Sequence, residues 1–260
     1  MSLAQQQIQK PGYIKKIFTD AGDFIYFTGR FFREVFKPPY PFKEFIKQSF
    51  EIGYKSLPLV GLTAFIIGLV LTLQSRPSLV EFGAESLLPG MVSNSIIREI
   101  GPVITAVICA GKIGSAIGAE LGSMRVTEQI EAMEVSAINP YKYLVVTRVL
   151  ATTFMVPLLV IFTDAIGLYG GYVAMNIHSN ISLQRFFTDA MARILFSDIF
   201  PALTKSIFFG FFIGIIGCYK GYNAKGGTES VGKAANAAVV SASLAVFIID
   251  MIAVQITDLI

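Results

Sequence analysis

Apolar and polar residues along this chain fall into long blocks rather than the short periods of a soluble fold. The first apolar block, residues 57–74, has no ionisable side chain, and a helix of that length comes close to crossing a hydrocarbon core of roughly 30 Å. Pro58 sits in its first turn, where the missing N–H is harmless. Residues 76–95 read as an extramembrane connection, with Pro77, Gly83, Pro89 and Gly90 as turn formers. Further blocks at 99–122, 149–177, 201–219 and 234–257 bring the expectation to five spans. The third is longer than a bilayer requires, so it tilts, bends at Pro157 or projects beyond the far side.

Residues 10–55 mix aromatic and basic side chains, with Phe18, Phe24, Phe27, Phe31 and Phe32 among Lys15, Lys16, Arg30 and Arg33. Such a segment suits the membrane interface, and the prolines between Lys37 and Pro41 break it into two helices. The expected fold is therefore an all-α integral membrane protein. Interfacial amphipathic helices occupy 1–55 and a transmembrane domain occupies 56–260.

Composition agrees, with 53% apolar residues, 22 Phe and only 15% charged residues, too few charges to solvate a domain of this size. The net charge of +3, concentrated before residue 56, gives no footprint for nucleic acid. Residues 1–10 are polar and lack the apolar core of a cleavable signal. With a cytoplasmic N-terminus, the cytoplasmic segments hold fifteen Lys and Arg residues against five on the other side. That bias predicts N-inside and C-outside.

Candidate chemistry is sparse. The run Gly227 to Ala234 nearly matches a phosphate-binding loop, but Ala234 stands where a magnesium-binding hydroxyl is needed. Cys109 and Cys218 lie in apolar stretches and read as packing residues, and His178, the single histidine, reads as an interfacial polar residue. No cluster offers metal ligands, so neither a metal nor a cofactor is expected on this chain. The ionisable residues inside spans are functional candidates, because burying them unpaired is costly. Arg98 and Glu99 open the second span facing different ways, Lys112 and Glu120 interrupt it, and Asp164 and Asp250 lie in the third and fifth. Gly114, Gly118 and Gly122 recur at four-residue spacing, a face on which another helix can pack closely.

The polar segment after the second span reads as a short helix with Thr127 as N-cap. Glu128, Glu131 and Glu134 form an acidic strip, Ile130, Met133 and Ala137 an apolar one, and Asn139-Pro140 ends the helix. An apolar ridge with an acidic edge suits a groove on a soluble partner.

Several of these stretches resemble the signature core of the MlaE (YrbE-like) permeases. They are Arg98 to Pro102, Ala110 to Ala116, Ala119 to Met124, Glu128 to Met133 and Asn139 to Val145, followed by Pro157 to Leu159 and Gly170-Gly171. Gly221-Tyr222, Gly226-Gly227, Val231-Gly232 and Ala238 to Val240 resemble that family's second region. Lys112 departs from the family's usual arginine, which keeps the charge and loses the planar fork.

The resemblance implies a homodimeric permease of an ABC transporter in the bacterial inner membrane, moving phospholipid to or from a periplasmic MCE-domain carrier and so maintaining outer-membrane lipid asymmetry. It implies a coupling helix at 127–137 bound to a cytoplasmic ATPase, which holds the ATP and magnesium. It also implies a lipid-binding role for Arg98 and Glu99. The rival expectations are an ion-coupled secondary transporter using Asp164 and Asp250, and a non-transporting scaffold for an MCE protein.

Overall fold

The structure, a computed structural model, describes residues 13–257, and these are helical apart from turns. The polar N-terminus at 1–10 lies outside the described residues, as does the side chain of His178. The chain divides at Tyr40/Pro41 into two compact units. The first consists of α1 (Tyr13–Val35), which leaves Phe18, Ile25 and Tyr26 exposed. The break falls at the predicted prolines, and α2 (Phe42–Gly53) belongs to the second unit.

Among the described residues, five helical runs are long and apolar enough to cross a membrane. The first contains α3 (Leu57–Glu81). It continues through Arg76 and Pro77, because a proline in the last turn removes only one hydrogen bond from a helix about to end. The turn is confined to Phe82–Ala84, where Gly83 takes a φ of +65°. Arg76 closes it by an ion pair of 2.9 Å to Glu85.

The second run, α4, covers Glu85–Val126 with π-turns at Ile96–Ile100 and Ala110–Gly114. The extramembrane connection expected over 76–95 is thus mostly helix. Pro89 and Gly90 lie in an opening turn, where proline fits without a donor.

Beyond α4 comes the short α5 (Gln129–Val135), then α6 (Thr147–Ser179), entered through a π-turn at Tyr141–Val146. The third span is a run of 37 residues with Pro157 inside an unbroken helix. At about 1.5 Å per residue it projects past the hydrocarbon. An amphipathic helix, α7 (Leu183–Met191), leads to α8 (Phe196–Tyr222), and α9 (Thr228–Thr257) completes the bundle. The residues resembling a phosphate loop open α9 as its first helical turns.

The spans approach where side chains vanish. A Cβ on Gly68 would overlap the Gly167 carbonyl, bringing α3 and α6 to backbone contact. Gly210 and Gly214 do the same for α8 against Thr152 and Val149 of α6. Lipid gives helices no hydrophobic drive to associate, so these close approaches supply the packing. The third span is the core, with 61% of its most apolar window buried against 28% for the first and 17% for the fifth. The outer faces of α3 and α9 stay open, lined by Leu62, Ile66, Leu244 and Phe247.

Candidate functional site

Charged residues from three spans meet in the half of the bundle where α4 and α8 begin and α9 finishes. The π-turn at Ile96–Ile100 sets Arg98 and Glu99 on diverging directions. The Glu99 carboxylate accepts from Lys205 of α8 at 2.6 Å, and the same ammonium donates to Asp250 of α9 at 2.9 Å. Arg98 turns instead to Asp198, with Nε 3.6 Å from Oδ1.

The Lys205 side chain is 4% exposed, whereas those of Glu99 and Arg98 are both 45% exposed. A buried cation is thus held by two carboxylates, one of them half exposed. Opposite charges at such spacing satisfy one another where water is scarce, and an exposed guanidinium beside them can receive an anionic group.

The predicted residues Arg98 and Glu99 therefore have separate partners. Lys205, Asp198 and Asp250 complete the cluster, and sequence reasoning did not assign them to it. Their signal was depth: Glu99, Lys205 and Asp250 all lie near the same end of their spans, which the alternating topology brings to one level.

The other end of α4 carries the polar turn. Thr127 is not the N-cap of α5. Its hydroxyl donates to the Ser123 carbonyl at 2.9 Å, finishing α4, and Glu128 holds the N-cap position at φ +56° with no side-chain cap. A threonine following a helical run finds a carbonyl four residues back before it finds an N–H ahead, which explains the difference.

Ile130 is fully buried in its own chain and Met133 is half-buried, while Val135 is 89% and Ile138 47% exposed. Glu131 pairs with Arg125, and Glu128 and Glu134 are exposed. The helix ends at Val135, with Ala137 at φ +59°, and Asn139 accepts from the Lys142 N–H at 3.2 Å to start the next helix.

Of the packing glycines, Gly118 lies against Ala234, Ala235 and Ala238 of α9, Gly122 against Ala224, Val231 and Ala234, and Gly114 faces Ile213 of α8. Lys112 donates to the Lys55 carbonyl. Glu120 receives Arg148 of α6, with Nη2 2.8 Å from Oε1 and Nε donating to Oε2 at 3.3 Å. Asp164 stands apart from Asp250: its Oδ1 lies buried against Gly101 without a hydrogen-bond partner.

A bundle of five apolar helices, charged at one end and carrying a short polar helix at the other, defines a multi-pass membrane protein with the layout of a transport permease. The sequence pattern of the family described as Permease MlaE matches residues 45–256, and the chain belongs to that family. A probable ABC transporter permease protein of Rickettsia typhi is 37% identical over 90% of each chain. One from Synechocystis is 36% identical over 86% of this chain and 85% of its own. The intermembrane phospholipid transport system permease protein MlaE of Haemophilus influenzae is 34% identical over 80% of each. The protein is thus a permease subunit of the ABC transporter class.

Proposed function

We propose that two copies of this chain form the lipid pathway of an ATP-driven transporter, exchanging phospholipid between the bacterial inner membrane and a periplasmic MCE-domain carrier. By this reading the N-terminus is cytoplasmic, the C-terminus is periplasmic, and the transport sustains outer-membrane lipid asymmetry. The observation that carries the reading is the charge cluster of Arg98, Glu99, Lys205 and Asp250, which reaches the open-faced fifth span through Asp250. The outward aliphatic side chains of α3 and α9 suit acyl chains, and a second copy facing them would close a chamber. Arg98 is the group for the headgroup phosphate, since its own partner is distant and its side chain exposed.

At the other end, α5 is the contact for a cytoplasmic ATPase, which holds the ATP and magnesium. Val135 and Ile138 present the apolar surface, and Glu128 and Glu134 the acidic edge. Closure of two ATPases would drive α5 against the ends of α4 and α6 and reshape the chamber. The reading is tested by purifying the chain in mild detergent with its native partners. An ATPase subunit, a second copy and bound phospholipid are the expected contents, and a chain carrying neither ATPase nor lipid contradicts it. An ion-coupled reading is disfavoured because Asp250 is bonded to Lys205 while Asp164 packs on Gly101, so the two share no site.

A further inference from the structure

We propose that Arg148 is a positioning residue for energy transfer: with Glu120 it clamps α4 to α6 so that displacement of the polar turn moves both spans as one body. The inference rests on the transport function proposed above. The Arg148 side chain is 2% exposed and spends three donors locally, two on Glu120 and one, Nη1, on the Leu144 carbonyl at 3.0 Å. The two-pronged contact fixes the angle between the partners as well as their distance, which a lysine could not do. An ion pair with its cation buried and its carboxylate half exposed is a poor way to gain stability, because the cation's desolvation offsets much of the attraction, so its value here is geometric.

The clamp has a mechanical context. Glu120 lies just before the turn and Arg148 just after it, and between them α5 is flanked by left-handed residues at Glu128 and Ala137. Those residues are the bends at which α5 leaves the flanking helices, so a push on α5 would be taken up there. Two further contacts limit their give: Arg125 pairs with Glu131 of α5, and its guanidinium lies 5.9 Å from the centre of the Tyr222 ring at the end of α8. Tyr222 in turn meets Tyr141 edge-on, at 6.1 Å between ring centres. The turn is thus braced at its base, and the Glu120–Arg148 pair closes the brace on the membrane side.

The test compares Glu120→Gln, Arg148→Lys and Glu120→Asp in the full transporter, reading phospholipid moved per ATP hydrolysed. Glu120 is half exposed, so its replacement leaves no cavity. The clamp predicts that Glu120→Gln and Arg148→Lys still bind the ATPase and hydrolyse ATP while lipid moved per ATP falls about fivefold, with partial recovery in Glu120→Asp. An unchanged ratio in both variants overturns it.

A second measurement is independent of transport. Spin labels on Ser123→Cys and Ile161→Cys, both exposed sites, report the separation of α4 and α6 in the permease in lipid nanodiscs. Cys109 and Cys218 are buried and leave the labelling selective. The distance distribution is expected to be narrow with the clamp and broadened by Glu120→Gln, and equal widths overturn the clamp. A wild-type transporter that moves no lipid on ATP removes the transport reading and leaves this second result standing.

Discussion

Lys205 and Arg98 lie in one cluster and should respond differently to mutation. Replacing Lys205 with Met leaves Glu99 and Asp250 without their shared cation, so it should destabilise the protein by about 1.5–3 kcal/mol, seen as a lowered thermal midpoint in detergent. Arg98→Ala removes a half-exposed group whose partner is 3.6 Å away and should cost less than about 1 kcal/mol. Loss of bound phospholipid in Arg98→Ala at an unchanged midpoint would mark that residue as the lipid contact, and full lipid retention would exclude it. The sequence identified Arg98 and Glu99 as candidates because charge inside an apolar block is conspicuous. It could not pair them, since Lys205 is 106 positions from Glu99 and 45 from Asp250, and only the packed topology joins them.

Among the elements, α4 shows best what pattern reading captures. Its apolar block and glycine spacing were visible, and in the structure Gly118 sits where a Cβ would lie 3.1 Å from that of Ala238. Gly118→Val should therefore force α4 from α9 and cost about 1–3 kcal/mol, whereas Gly232→Ala, inside α9 with open space around it, should hold or raise the thermal midpoint, since alanine favours a helix over glycine by up to about 1 kcal/mol. Comparable loss in both would show that the close approach of α4 to α9 is not what Gly118 provides.

The early start of α4 was missed because Pro89 and Gly90 are ambiguous, turn formers in isolation and acceptable in an opening helical turn. The π-turns were missed because one extra residue in a helix leaves no mark in an apolar run. Thr127 was misread for a related reason: its hydroxyl serves equally before or after a helix end, and the carbonyl of Ser123 takes it.

For the whole molecule, the five-span architecture was legible because membrane thickness fixes the length of an apolar helix and leaves few alternatives. On the proposed reading, which face of the bundle would meet a second copy, and which side chains would meet an ATPase, depends on exposure. Val135, outside the predicted apolar strip, projects from the polar turn, while Ile130, which belongs to that strip, is buried beneath it. Val135→Lys should abolish ATPase co-purification with no change in thermal midpoint, whereas Ile130→Lys should destabilise the permease itself by burying an unpaired charge. Retention of the ATPase by Val135→Lys would remove α5 from the docking surface.

The central claim, ATP-driven lipid movement through a pair of these chains, is tested most directly by reconstituting the permease with its ATPase in liposomes and following a labelled phospholipid to a carrier protein outside. The account predicts transfer that requires ATP hydrolysis and is lost in Val135→Lys. Transfer that persists without ATP on an imposed ion gradient, or a complex that hydrolyses ATP and moves no lipid, would contradict it.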